Sequence, residues 1–528
     1  MGKQKMLSLL PTLLSLLLCS DLANAHRSAT DFSSLEEVIL TSDPELLLCP
    51  VCEQVTGLLM RELPTNSSEE SLFHVLDKVC ALFPANKKKE CDNVAMQLAV
   101  LSGDSSLGTL SKYPPHALCS VVGACGNECC QMYNQPEQVH LSLQGSTSMA
   151  VTWLTLDDNV TSLVEYDTVP GRFGFNTTGA KSTYTSGGFL GTIHQAVISG
   201  LQPDTRYYYR VGDPKARNLW RHYAWSVPTL TFRTPQLPSV GNVTFGIVGD
   251  MGATDASDAT VLRLGSMRLQ DDLDFVFHVG DISYADGYQP LWDDFFRKIE
   301  SLSAYMPYQA CPGNHEAFFN FTPYQSRFPL LDSPSSGSST SMYHSFDYGP
   351  VHVVAINTEA ELNLINDELR PGGRQYEWLA QDLEKATNRS ERPWLIVCGH
   401  RPMVCTSTKS EYCKNDAKYL SSYLRPLLDQ FKVDLVVAGH VHMYERSAPV
   451  DASGDVKPAG QAPVFVLTGA SGTKEQMMGG WVDPPPPSSL VRMAEYGFGV
   501  VRASATTLVW EYVASGNGTV LDTFTLSK

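Results

Sequence analysis

Positive charge is what this chain of 528 residues has too little of: 39 Lys and Arg stand against 56 Asp and Glu, a net charge of -17. Phosphate backbones are bound by clustered Lys and Arg, so this balance argues against nucleic acid as a partner. Long apolar runs are also scarce. After Met6 to Cys19 no stretch reaches the ~18 residues that a membrane-spanning helix needs. The polar end, Thr523 to Lys528, lacks the hydrophobic tail of a GPI signal. Cysteine is sparse through most of the chain, where only Cys311, Cys398, Cys405 and Cys413 follow Cys130.

The N-terminus has the marks of a targeting segment. Lys3 and Lys5 precede the apolar stretch, and Ala23-Asn24-Ala25 offers the small residues that signal peptidase reads, so residues 1–25 are expected to be removed before His26. The mature chain is then expected to be soluble and extracytoplasmic, secreted or delivered to a lysosome- or vacuole-type compartment. Glycosylation sequons fit that route, at Asn66, Asn159, Asn176, Asn242, Asn320, Asn388 and Asn517. With 43% hydrophobic and 18% charged residues, the chain has material for several cores, and about two to four domains are expected from the length.

Cysteines divide the mature chain. Cys49, Cys52, Cys80, Cys91, Cys119 and Cys125 are nested in spacing, with Cys129 and Cys130 unassigned beside them. In a secreted chain this reads as a disulfide framework, for which spacing alone allows fifteen pairings. A zinc site at Cys49-Pro50-Val51-Cys52 is the weaker reading, because no second close pair follows at zinc-site spacing. Glu69 to Phe83 and Cys91 to Leu101 have helical apolar spacing. Cys405 and Cys413 lie close enough in one loop for a local bridge, whereas Cys311 and Cys398 have no assigned partner. Between residues 136 and 235, alternating stretches predict strands: Glu137 to Trp153, Leu163 to Tyr166, Thr205 to Val211 and Asn218 to Thr234. Tyr207, Tyr208 and Tyr209 are read as strand packing.

From Asn242 onward strands alternate with helical segments such as Gly373 to Ala386 and Lys418 to Phe431, as a layered α/β fold requires. Pro484 to Pro487 marks an exposed loop, and Glu495 to Val513 returns as β-structure. Five short blocks in this region carry metal-ligand chemistry: Gly249-Asp250-Met251-Gly252, Gly280-Asp281-Ile282-Ser283-Tyr284, Gly313-Asn314-His315-Glu316, Gly399-His400 and Gly439-His440-Val441-His442. Strand-like stretches such as Val243 to Val248, Phe275 to Val279, Trp394 to Val397 and Val433 to Val437 lead into them. The ligands are therefore expected at the carboxyl ends of neighbouring strands. Hard ions take carboxylate, amide and phenolate oxygen, borderline ions accept imidazole, and one carboxylate can bridge two ions about 3.5 Å apart. Glycine beside the ligands allows tight turns.

The order GDxG, GDxxY, GNHE, GH, GHxH resembles the metallophosphoesterases. Tyr284 three residues after Asp281, with Tyr444-Glu445-Arg446 after the last His pair, is similar to the purple acid phosphatases, and the likeness runs from Pro136 to Lys528. The resemblance implies that Asp250, Tyr284 and His442 hold Fe(III), that Asn314, His400 and His440 hold a second divalent metal (iron, zinc or manganese), and that Asp281 bridges them. It also implies hydrolysis of phosphate monoesters by attack of a metal-held hydroxide, with His315 contacting the phosphate or protonating the leaving group. Plant members carry further histidines shortly beyond the single metal-binding His. Here Met403 to Cys413 holds none, which leaves Lys409 or Tyr412 as candidate substrate contacts.

The N-terminal cysteines, residues 44–130, resemble a saposin B-type domain, a small helical bundle whose nesting pairs Cys49 with Cys125, Cys52 with Cys119 and Cys80 with Cys91. Residues 136–235 resemble the fibronectin III-like sandwich that precedes the catalytic domain in larger purple acid phosphatases and supports its catalytic face. Residues 241–528, including a C-terminal segment 490–526, are expected to form a calcineurin-like phosphoesterase domain of two packed β-sheets flanked by helices. The saposin likeness opens a second reading, a sphingomyelinase-like phosphodiesterase acting on phospholipid headgroups. Sphingomyelinases carry a metal-binding His where this chain has Gly252, and they lack Tyr284. A third reading, a catalytically inactive lipid-binding protein, requires loss of a ligand, and none is missing. Substrate identity, second metal and oligomeric state are not set by the sequence.

Overall fold

Alternation of apolar and polar residues fixes the first domain. The computed structural model describes residues 135–528 except 157, 190, 218–222, 227–228, 237–240, 333, 360–367, 388–391 and 476. The expected signal peptide, the saposin-like cysteine framework with Cys129 and Cys130, and the sequons Asn66 and Asn388 lie outside the described residues. Strands Glu137–Leu143, Ser148–Thr155, Thr192–Ser199 and Ala180–Ser182 form one antiparallel sheet, and Phe175–Thr178, Leu163–Asp167, Arg206–Arg217, Tyr223–Trp225 and Leu230–Arg233 form another. Leu141, Met149, Val151 and Trp153 of the first share one buried core with Val164, Tyr209, Val211 and Phe232 of the second. Tyr207 and Tyr209 point inward and Tyr208 is half-buried, so the three tyrosines are strand packing, as period two dictates.

The second domain is built from two larger sheets. In chain order its strands are β1 (Val243–Val248), β2 (Phe275–Val279), β3 (Tyr308–Cys311), β4 (His344–Tyr348), β5 (Val351–Ile356), β6 (Trp394–Gly399), β7 (Leu435–Ala438), β8 (Tyr444–Pro449), β9 (Val464–Thr468), β10 (Ser489–Met493), β11 (Gly497–Ala503), β12 (Thr507–Ala514) and β13 (Val520–Ser527). One sheet runs β3-β2-β1-β11-β12-β13 and the other β4-β5-β6-β7-β9-β8-β10. Strands β1, β2 and β3 are parallel, as are β5, β6, β7 and β9. The long helices are α1 (Asp255–Leu269), α2 (Gln289–Ser303), α3 (Arg374–Lys385) and α4 (Ala417–Gln430).

Residue parity assigns the layers. Phe245, Phe275, Phe277, Val353, Ile396 and Val437 fill the space between the two sheets. Their neighbours in sequence point the other way: Val248 and Val276 meet α1 and α2, and Val354, Leu395, Val397 and Val436 meet α3 and α4. Parallel strands buried on both faces read as continuous apolar runs for this reason. Cys311 and Cys398 are buried free thiols in the core between the sheets. The first domain joins the second through α2, whose Glu300 carboxylate accepts the backbone N–H groups of Gln138 and Val139 at 3.1 and 3.3 Å.

Candidate metal centre

All five ligand blocks lie at carboxyl ends of parallel strands. They come from two sheets rather than from neighbours in one: Asp250, Asp281 and Asn314 follow β1, β2 and β3, whereas His400 and the His440/His442 pair follow β6 and β7. Packing the two sheets face to face brings both sets of ends to one edge, so ligands from each sheet converge there. Asp250, Asp281, Tyr284 and His440 have φ of 55°, 52°, 53° and 71°, in the left-handed region that non-glycine residues enter at a cost, on the order of 1 kcal/mol or more each. The glycines make room for the ligands. A Cβ on Gly313 would lie 2.3 Å from Asp281 Oδ1, and one on Gly439 would lie 2.4 Å from Asp250 Oδ2.

Two groups of ligand atoms result, each within 4.8 Å: Asp250, Asp281 and His442, and Asp281, His400 and His440. Asp281 belongs to both. Around the first, the Tyr284 hydroxyl lies 3.1 Å from His442 Nε2 and donates to Asp250 Oδ1 at 3.4 Å. Around the second, His400 Nε2 lies 3.1 Å from Asp281 Oδ2 and 3.2 Å from Asn314 Oδ1. His400 Nδ1 lies 2.9 Å from the Val279 carbonyl, which fixes it as the protonated nitrogen and leaves Nε2 for a metal. Asp250, Asp281, Tyr284 and His442 are each at most 2% exposed. Buried carboxylates are costly unless paired or bound to a cation, and this hard oxygen and imidazole set fits two ions.

Electrostatics sharpens the fit. Burial pushes the Asp281 carboxyl up, but His400 with the other imidazoles outweighs it and holds Asp281 far below the usual range. Burial, then the charges of Asp250 and Asp281, push the Tyr284 phenol well above its ordinary value. A phenolate there requires the charge of a bound cation. Burial and the nearby Arg401 and His400 keep His440 neutral, its pKa well below the usual imidazole value.

His315 follows Asn314 beside the Tyr284 ring, at a centroid distance of 4.3 Å. Its Nδ1 bonds Asp286, and its Nε2 points toward Asp281 Oδ2 and Glu475 Oε1 at 3.8 and 3.5 Å. The cleft over the site has a volume of about 220 Å³ and is lined by Asp281, Asn314, His315, His440, His442, Glu475 and Met478, with Lys409 to Tyr412 on one side. The expected Cys405–Cys413 disulfide is present and closes that side loop. Buried Glu445, from the Tyr444-Glu445-Arg446 block, anchors the loop by accepting the Thr406 N–H and hydroxyl, both at 2.8 Å. Tyr444 and Arg446 both bond Asp522 of β13.

Sequence reasoning missed Asp286, Glu475, Arg401 and Glu359. Arg401 is held by the buried Glu359 and approaches His440 Nε2 at 2.9 Å. Glu475 follows the apolar run of β9 and Gly469-Ala470-Ser471-Gly472, the same strand-then-glycine signal that marks the other blocks.

Comparison with known proteins agrees with this geometry. "Purple acid Phosphatase, N-terminal domain" matches residues 136–257, "Calcineurin-like phosphoesterase" residues 243–444, and "Iron/zinc purple acid phosphatase-like protein C" residues 462–523. "Saposin-like type B, region 1" matches residues 47–84. Purple acid phosphatase 22 of Arabidopsis thaliana is 34% identical over 70% of this chain and 79% of its own length. Acid phosphatase type 7 of Danio rerio is 33% identical over 75% of this chain and 91% of its own. The chain belongs to the purple acid phosphatase family. Its fold matches that of a purple acid phosphatase from yellow lupin (Lupinus luteus) seeds, with a TM-score of 0.65 at 24% identity over 75% of this chain and 74% of that one. Family membership implies a dimetal centre, and the two groups that share Asp281 are residues that could hold the ions.

Proposed function

We propose that the protein is a dimetal acid phosphatase that hydrolyses phosphate monoesters, secreted or held in a lysosome- or vacuole-type compartment. The observation that carries this reading is the Asp281 carboxylate, which is common to both ligand groups. In this reading Asp250, Tyr284, His442 and Asp281 hold Fe(III), and Asn314, His400, His440 and Asp281 hold a divalent iron, zinc or manganese ion. When bound, the ions lower the pKa of water and offset charge that develops on the phosphoryl oxygens.

The chain's own residues position the substrate. Burial lowers the His315 pKa, but its bond to Asp286 and the charge of Asp281 raise it to about 9. An imidazolium with Nδ1 committed to Asp286 presents its Nε2 proton to a phosphate or leaving-group oxygen in the cleft. The Tyr412 hydroxyl donates to the Pro402 carbonyl at 3.0 Å, and its ring meets His440 edge-on, so Tyr412 orients a ligand. Lys409 is exposed on the cleft rim and remains the candidate substrate contact of that loop.

Residues 136–235 fit a fibronectin III-like support for the catalytic domain of residues 241–528, including segment 490–526. The nested disulfides Cys49–Cys125, Cys52–Cys119 and Cys80–Cys91 belong to the saposin-like part, residues 44–130, which holds the enzyme at a lipid surface in this reading. Asn159, Asn176, Asn242, Asn320 and Asn517 are exposed, as acceptors of glycans must be. Metal analysis of the purified protein, with turnover on a phosphomonoester, a phosphodiester and sphingomyelin, tests the reading. Two metals and preference for the monoester are expected, and preference for sphingomyelin refutes it.

A further inference from the structure

We propose that the sandwich loop Tyr184 to Phe189 clamps the two strained loops of the metal centre, with Gly187 as its positioning residue; the ligand role of Tyr284 rests on the reading above. The first of these loops carries Tyr284, Asp286 and Gly287 at φ of 53°, 50° and 91°. The second follows His315 and carries Phe319, Asn320 and Phe321 in succession at φ of 55°, 54° and 61°. Non-glycine residues persist in this region only where surrounding structure over-determines them.

The sandwich domain supplies that structure at one point. Gly187, itself at φ 64°, lies so close to both loops that an added Cβ would stand 2.4 Å from the Gly287 carbonyl oxygen, 2.8 Å from Gln289 Nε2 and 2.8 Å from the Phe319 ring. Hydrogen bonds lead from this contact back into the first domain. Gln289 Nε2 donates to the Gly287 carbonyl at 3.0 Å, and its Oε1 accepts the Tyr184 hydroxyl at 2.6 Å. That hydroxyl accepts from Arg327 Nε at 2.9 Å, and Arg327 also holds Asp293 at 2.8 Å. Tyr184 is buried and stacks on Phe189 with ring centroids 4.1 Å apart, so it is a fixed anchor. Gly287 adjoins Asp286, which holds His315, and lies three residues after Tyr284 in the same loop. A shift of Gly287 therefore moves a metal ligand and the substrate-facing imidazole together.

The test compares Gly187→Ala with Gly200→Ala in the full-length protein. Gly200 has a similar φ of 73°, yet an added Cβ there meets nothing within 4 Å, so it carries the backbone cost without the contact. Expected for Gly187→Ala are a displaced visible absorption band, faster amide hydrogen exchange over residues 284–289 and 316–321 in the metal-free protein, and a kcat lower by about tenfold or more. Gly200→Ala is expected to match wild type on all three. If Gly187→Ala does not fold, Tyr184→Phe carries the test, since it keeps the stacked ring and deletes only the hydroxyl with its bonds to Gln289 and Arg327; faster exchange over 284–289 is expected. Exchange in Gly187→Ala equal to that in Gly200→Ala, or in Tyr184→Phe equal to wild type, overturns the clamp. An iron-loaded wild type without a visible band refutes the Tyr284 ligand instead, and the metal-free exchange comparison still decides the clamp.

Discussion

Glu316 is where the ligand loops are tied to one another, and its removal gives the sharpest stability prediction. Its carboxylate is 2% exposed and accepts three backbone N–H groups, those of Asp281 at 2.9 Å, Ile282 at 3.0 Å and Gly313 at 2.8 Å. Burial and the charge of Asp281 raise the Glu316 pKa to about 7 against the backbone N–H groups that favour the ionised form, so the charged-acceptor contribution of about 1.5–3 kcal/mol per bond is an upper value that desolvation offsets in part. Glu316→Ala leaves the three donors buried without that acceptor, so a loss of about 3–5 kcal/mol is expected. Glu316→Gln keeps one acceptor oxygen and turns an NH2 group toward donors, for a loss of about half as much. Because Asp281 sits on the released backbone, kcat should fall by up to about a hundredfold even where the variant stays folded. Urea unfolding and kinetics on a soluble phosphate ester measure both. A Glu316→Ala protein within about 1 kcal/mol of wild type and fully active would refute the staple.

Tyr284→Phe should abolish the visible band while leaving the fold intact, because only the phenolic oxygen is lost; a band that survives rules out the tyrosinate. Metal analysis should find both ions depleted in Asp281→Asn but chiefly the divalent one in His400→Ala, and equal depletion in the latter would show the ligand division to be wrong. Stability should also depend on pH through His352, which bonds Asp347 at 2.7 Å and Asp382 at 3.0 Å. Burial lowers its pKa, but the two carboxylates raise it from 6.5 to about 9. A folded pKa above the unfolded one gives stability fully present below 6.5 and lost as pH rises through about 9, at most about 3 kcal/mol. His352→Gln should lose that pH dependence, and unfolding curves from pH 6 to 9.5 that match wild type would count against it.

The candidate donors that the structure brings together were legible in the sequence because each block is local: a strand, a glycine and a donor within a few residues. The two core faces were legible for the same reason, since parity along β1, β2, β5 and β6 sorts residues between the inter-sheet core and the helices. What was not legible depends on distant pairing. Asp286 acquires meaning only from His315, and Glu359 only from Arg401. Helix α1 escaped notice because it is not amphipathic: Leu262 and Leu269 are 72% and 74% exposed while Ser257 and Thr260 are buried. The strand positions of Asp250 and Asp281 were predictable, but their left-handed backbone was not. It follows from the convergence of two sheets, which no single stretch of sequence encodes.

That convergence also bears on the choice between phosphatase and sphingomyelinase. Gly252 has φ 67°, and a Cβ there would stand 3.1 Å from Tyr284 Cδ2 and 3.4 Å from Thr254 Cγ2. An imidazole at position 252 would have to enter space that the Tyr284 ring occupies. The two residue identities that separate the families are thus one steric choice: a metal-binding His after the first Asp, or a tyrosine three residues after the second. With Tyr284 1% exposed and its hydroxyl also bonded to Thr473 at 3.1 Å, this chain has taken the second option in its packing. None of the proposed ligands comes from the saposin-like segment, so in the proposed reading it bears on where the enzyme meets its substrate, through local concentration at a lipid surface, and not on the choice between the two chemistries.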